Sequence, residues 1–210
     1  MNTQSACTLL LFAISVSSLP SCGALSAAEA PGDARFFSME RAPSQPVAPT
    51  AEAPGVRGEP LKLRLGSVTG SPHLEERVVY RESAHEIGYY REVRWTEPPE
   101  LFLKRQLARV LFEERGIQHV VGGAEKTLVV KLTAFDEIRY GQHLARAQVV
   151  VKLHDEHLVL WEETLTVDRP VVEAKSGDLA VATVQALGEA MQAVVDQIAD
   201  RVVRELEARR

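Results

Sequence analysis

The chain has 210 residues, of which 45% are hydrophobic and 25% charged, with a net charge of −5. That length and apolar content suit one domain of about 150 residues plus appendages. The acidic balance speaks against nucleic acid as a partner and against electrostatic attraction to anionic lipid headgroups.

The N-terminal segment carries the apolar run Leu9–Val16. It is far shorter than the roughly 20 residues that span a bilayer and matches the apolar region of a secretory signal, about 7–15 residues long. Ser17, Ser18, Pro20 and Ser21 follow, and Leu19-Pro20-Ser21-Cys22 resembles a bacterial lipobox. The reading is a lipoprotein signal peptide over residues 1–21, cleaved before Cys22, with Cys22 as the lipidation site. An ordinary secretory signal with an incidental cysteine is the alternative. Residues 1–7 contain no Lys or Arg, so a start upstream of Met1 is left open. The only other cysteine is Cys7. Past Cys22 a disulfide framework, a thiol nucleophile and a cysteine metal site are therefore excluded.

Residues 22–60 read as a lipidated N-terminus and a tether. Pro31, Pro43, Pro46, Pro49, Pro54 and Pro60 lie here among many alanines, with neither a helical nor a strand period, so the stretch buries too little apolar surface to offset its ordering entropy. "RFFSME" (35–40) is read as a sticky spot within it. Partly extended, the whole tether would reach from roughly 35 Å to over 100 Å.

The folded domain is placed at 61–210. "LKLRLGSV" alternates at Leu61, Leu63 and Leu65, a half-buried strand. "RVVYR" (77–81) and "IGYY" (87–90) flank "ESAHE" as a hairpin, and "REVRW" continues to Trp95. "TEPPE" starts a helix, with Thr96 or Glu97 as cap and proline in the first turn. It runs to about Arg115 with Leu103, Leu107, Val110 and Leu111 on one face, and Gly116 stops it. Strands follow at 127–135, 144–153 and 158–167. A long helix then starts near Ser176 or Asp178, with a stripe of Val184, Leu187, Met191, Val194, Ile198 and Val202. The order β-β-β-α-β-β-β-α predicts an α+β fold, a two-layer sandwich with an antiparallel or mixed sheet of about six strands and two helices on one face.

The stretch "VVYRESAHEIGYYREVRWTEPPELFLKRQLARVL" resembles the ABC-type transport auxiliary lipoprotein family, which is PqiC-like. Tyr80-Arg81, Tyr89-Tyr90, Arg94-Trp95, Pro98 and the Leu-rich helix carry the resemblance, with the strand containing Phe135 and the C-terminal helix. It covers about residues 61–205. It implies a lipid-anchored protein at the periplasmic face of the outer membrane. Such a protein is a non-enzymatic docking subunit that partners an MCE-domain protein and ABC transporter subunits. The transport system moves phospholipid or other hydrophobic molecules across the envelope. A homo-oligomer is compatible with the resemblance. Gly23 rather than Asp after the cysteine fits the outer membrane. The alternative is another outer-membrane assembly or scaffold lipoprotein.

Chemistry-bearing patterns are sparse. His154 and His157 in "HDEH" have metal-like spacing, but a solvated hairpin tip explains them, and no metal or cofactor is expected. His85, His119 and His143 are scattered singly. "VVGGAEK" (120–126) lacks the strand–helix context of a phosphate loop, and neither an acid/base couple nor a Gly-x-Ser-x-Gly elbow occurs. No catalytic residues are assigned. Tyr89 and Tyr90 point to opposite faces of their strand, so at least one is free to touch a partner. Tyr89, Tyr90 and Trp95 are the candidate partner contacts, with ordinary packing as the competing account.

Overall fold

A computed structural model describes residues 33–40, 59–123, 126–172 and 177–209. The expected signal segment, Cys7, Cys22 and most of the expected tether fall outside them. The elements are β1 (Arg35–Phe37), β2 (Lys62–Gly70), β3 (Arg77–Arg81), β4 (Ile87–Trp95), α1 (Pro99–Ala108), β5 (Gln118–His119), β6 (Thr127–Ile138), β7 (Leu144–His154), β8 (Val159–Pro170) and α2 (Leu179–Glu207).

Strand alternation sets the layers. Along β7, Ala145, Ala147, Val149, Val151 and Leu153 are buried, while Arg146, Gln148, Val150 and Lys152 are half-exposed. The buried face carries both helices. The other face is wet and polar, and cross-strand pairs stitch it together. Arg146 donates twice to Asp168 at 2.8 Å, and Gln148 donates to Thr166 at 2.8 Å. The result is the expected α+β two-layer sandwich, with a mixed sheet of eight strands among the described residues.

Strand β6 is the centre of that sheet. It pairs antiparallel with β7 along one edge. Its other edge is shared: β2 lies parallel to its first half, Arg64↔Thr127 to Gly70↔Leu132, and β3 lies parallel to its second half, Val79↔Asp136 to Arg81↔Ile138. Strands β2 and β3 therefore run end to end instead of folding back as a hairpin. The linking segment stays on β6 because Ser71 N donates to Leu132 O (2.9 Å) and Leu74 is buried. Gly66 sits where the β2–β6 register shifts, and a Cβ there would lie 2.9 Å from Thr127 Cγ2 and 3.0 Å from the Leu128 carbonyl. The expected β3–β4 hairpin forms, with Arg81 opposite Ile87.

Two short strands extend the six long ones. Strand β5 pairs parallel with the start of β2. Strand β1 is the "RFFSME" segment. It pairs parallel with β4, Arg35↔Val93 to Phe37↔Trp95, and Thr96 N donates to Phe37 O at 3.0 Å. This part of the expected tether is thus an edge strand of the sheet. Phe37 and Met39 pack on the core, and Arg35 bonds Asp178 at 2.7 Å.

Helix α1 has Pro98 at its N-cap position, with no side-chain cap hydrogen bond. Thr96 and Glu97, the expected caps, are used elsewhere, Thr96 against β1 and Glu97 as the partner of Arg105. Past Ala108 the helix widens into a six-residue π-helical stretch, Arg109–Glu114, whose end is marked by Arg115 N donating to Val110 O. Gly116 then turns the chain at φ +64°, a left-handed conformation that side chains disfavour. Helix α2 is capped by Asp178, whose carboxylate accepts from Ala180 N and Val181 N. The predicted faces are the core: Leu103, Leu107, Val110 and Leu111 of the first helix meet Val184, Leu187, Met191, Val194, Ile198 and Val202 of the second, all buried.

Candidate functional site

The three aromatic residues singled out from the sequence do not form one surface. Trp95 is 1% exposed and packs on Phe135, ring centroids 5.3 Å apart. It is a core residue and cannot reach a partner. The cause is its place at the buried end of β4, directly before α1. Tyr89 is half-buried with the Arg77 guanidinium 4.1 Å from its ring. Tyr90 is also half-buried and points toward α2.

Tyr90 belongs to a polar network that the sequence reading missed. Its centre is Glu137, with no exposed surface. Glu137 accepts from Tyr90 Oη (2.8 Å), Arg139 Nε (2.8 Å) and Thr183 Oγ1 (3.0 Å), and lies 2.6 Å from His143 Nε2. Arg139 also donates to Glu82 and stacks over Tyr80, 3.7 Å from its centroid. Burial alone would raise the Glu137 carboxyl, but hydrogen bonds from His143 and Tyr90 and the Arg139 charge outweigh it and hold it below the ordinary carboxylate range. Burial pushes the Tyr90 phenol up, so it stays a donor. The neighbouring Asp136, equally buried, is met by Arg81 Nε at 2.5 Å and by the Phe135 backbone N–H. Four groups saturate the Glu137 carboxylate, which leaves no lone pair for a substrate. The network ties β4, β6, the β6–β7 turn and α2 together. A sequence signal existed: "FDEIRY" puts two adjacent acids at the end of an otherwise apolar strand.

The open concavity lies elsewhere. A groove of about 530 Å³ runs between α1 and the β2–β5 edge. Leu101, Lys104, Arg105 and Ala108 form its helical wall, Arg64 and Leu65 its strand wall, and Val120 and Val121 its lip. The π-helical stretch shifts the helix register here, and Phe112 stacks on His119 of β5 at 4.2 Å. Such insertions recur at functional sites. Leu101 and Val121 are 51% and 85% exposed, high values for apolar side chains facing one groove. Among the described residues that line it, Arg64, Lys104 and Arg105 are basic and none is acidic, but Glu97 and Glu40 lie against Arg105. Arg64 is steadied by Thr127 (3.0 Å). Arg105 is held by both oxygens of Glu97 (2.8 and 2.7 Å) and by Glu40 (2.9 Å).

The two histidines of "HDEH" lie at a turn. His154 and His157 flank a hairpin tip in which Asp155 accepts from the His157 and Leu158 backbone N–H groups. Among the described residues no group of three or more His, Cys, Asp or Glu could hold a metal ion, and no helix is long and apolar enough to cross a membrane.

The comparisons with known proteins decide the family. The model of the ABC-type transport auxiliary lipoprotein component family matches residues 42–199, about three quarters of the chain. The chain belongs to that family. The family match starts 20 residues after Cys22 and takes in the groove, the polar network and most of α2. Solved structures agree on the fold. A Xanthomonas campestris protein described as DUF330 is 18% identical with a TM-score of 0.63, covering 83% of this chain and 98% of its own. The hypothetical protein CT253 of Chlamydia trachomatis is 10% identical with a TM-score of 0.51, covering 71% and 99%. The search of curated proteins returns no match.

Proposed function

We propose that this auxiliary lipoprotein is a docking subunit at the periplasmic face of the outer membrane, without catalysis of its own. It serves an MCE-type ABC transport system that moves phospholipid or other hydrophobic molecules. The observation that carries the docking role is the groove: exposed Leu101 and Val121 beside Arg64, Lys104 and Arg105. Exposed apolar side chains beside the cations Arg64 and Lys104 suit an apolar segment flanked by acidic side chains, and such complementarity sets specificity and encounter rate. The occupant we assign is an exposed segment of the MCE-domain protein. The saturated state of Glu137 supports a structural reading of the buried acids over a catalytic one.

Lipidation of Cys22 supplies the membrane attachment in this proposal. Three acyl chains, at about 0.8 kcal/mol per buried CH₂, hold far more firmly than one. Mass spectrometry of the native N-terminal peptide should show an acylated Cys22 after loss of residues 1–21, and fractionation should place the protein in the outer membrane. An unmodified mature terminus, or recovery with the inner membrane, would contradict the corresponding part. Affinity isolation from solubilised envelopes should return an MCE-domain protein, a permease and an ATPase. Isolation of outer-membrane assembly proteins instead would favour the scaffold alternative.

A further inference from the structure

The direction of β1 bears on how the domain stands relative to its anchor. Residues 23–34, twelve in all, separate Cys22 from the first strand residue Arg35. Fully extended they span at most about 40 Å, against over 100 Å for a leash running to residue 60. Strand β1 runs parallel to β4, with Arg35 beside Val93. Residues 33 and 34 therefore lead into β1 from the side toward Ile87, where β4 begins. That end of the sheet holds the β3–β4 hairpin tip, the β6–β7 turn (139–143), the end of β8 and the start of α2. Of the exposed large apolar side chains, Ile87 (37%), Tyr140 (39%), Val172 (71%) and Leu179 (44%) lie on or next to these elements, while Leu158, Val159 and Val121 lie toward the other end. The groove's lip Val121 and its strand wall Arg64 and Leu65 lie toward the opposite end, where β2 and β6 begin.

We propose that the end bearing Ile87, Tyr140, Val172 and Leu179 rests on the phospholipid surface that holds Cys22, with β1 as the clip that keeps it there, so that the groove faces away from the membrane. This rests on the lipidation of Cys22 proposed above. Separate apolar side chains and one tyrosine suit the headgroup boundary, where amphipathic aromatics settle. Their own affinity is small. A leash of twelve residues makes the contact intramolecular and raises the effective concentration of this end at the surface. Undocking β1 would free the leash as far as residue 60 and remove the constraint.

The lipidated full-length protein tests this in phosphatidylethanolamine–phosphatidylglycerol vesicles containing nitroxide-labelled lipid. With Cys22 acylated, an introduced cysteine is the single free thiol. A fluorophore at Q142C, in the β6–β7 turn, should be quenched several-fold more than one at E156C, in the β7–β8 turn. The pair R35E/F37D removes the bond to Asp178 and puts a charge where Phe37 packs. It should bring quenching at position 142 down toward the value at 156, while circular dichroism and the acylated N-terminal peptide stay unchanged. Equal quenching at the two positions in the unaltered chain, or stronger quenching at 156, overturns the orientation even when Cys22 is acylated. Quenching at 142 that survives in R35E/F37D overturns the role of β1. An unacylated Cys22 by mass spectrometry overturns the anchoring reading and the orientation with it.

Discussion

Replacing Glu137 by Ala should cost about 3–5 kcal/mol of folding stability, the usual consequence of breaking a buried ionic group. The carboxylate has no exposed surface and is met by Tyr90, Thr183, Arg139 and His143. Its removal leaves the buried Thr183 hydroxyl, the Tyr90 hydroxyl and one side of Arg139 without their acceptor. The same group gives an acid dependence of known sign. Its folded pKa lies below the unfolded value. Its contribution is therefore complete above the unfolded carboxylate range and is lost as pH falls through the folded value. Denaturant titrations from neutral pH downward should show stability falling below about pH 4.5, with a shallower fall in E137Q. An equal slope in both proteins would mean that Glu137 is not held as a low-pKa carboxylate.

Cutting Leu187 to Ala should destabilise the domain by about 2–5 kcal/mol. Leu187 is fully buried on α2, in the same cluster as Leu107 of α1 and Val149 and Val151 of β7. The loss combines the transfer energy of the removed methyl groups with the cavity they leave. Leu107, also fully buried, should behave alike. The exposed Leu101 of the same helix is the control: L101A should leave the melting temperature nearly unchanged. A Leu187→Ala protein as stable as the parent would contradict the packing of α2 on the sheet.

These two results bear on what was legible in the sequence. The helical stripes needed only the 3.6-residue period, and Leu107 and Leu187 sit where that period put them. The alternating strands were legible for the same reason, since the polar face of β7 meets water. Pairing was not. That β2 and β3 share one edge of β6 depends on contacts far apart in the chain, and residues 71–76 look locally like any turn. Strand β1 was hidden by its proline-rich flanks; three residues carry too little pattern to stand out, and only the edge of β4 makes them a strand. Tyr89, Tyr90 and Trp95 looked alike as aromatic residues of one strand, yet their surroundings differ: Arg77 for the first, Glu137 for the second, Phe135 for the third. The groove was illegible because its walls come from α1, β2 and β5, and because the π-helical stretch that sets Phe112 against His119 has no sequence signature.

The docking role is tested most directly by the affinity between the protein and the isolated periplasmic part of the MCE-domain protein, measured at two salt concentrations. The unaltered chain should bind, and more weakly at high salt, because exposed charges are screened. The double variant R64E/K104E reverses two rim charges of the groove and should lower the affinity at least tenfold while the melting temperature changes little. The paired change Q142A, in the β6–β7 turn at the other end of β6, should leave binding intact. Unchanged affinity in R64E/K104E would contradict the groove as the docking surface, and no binding by the unaltered chain would contradict the partnership itself.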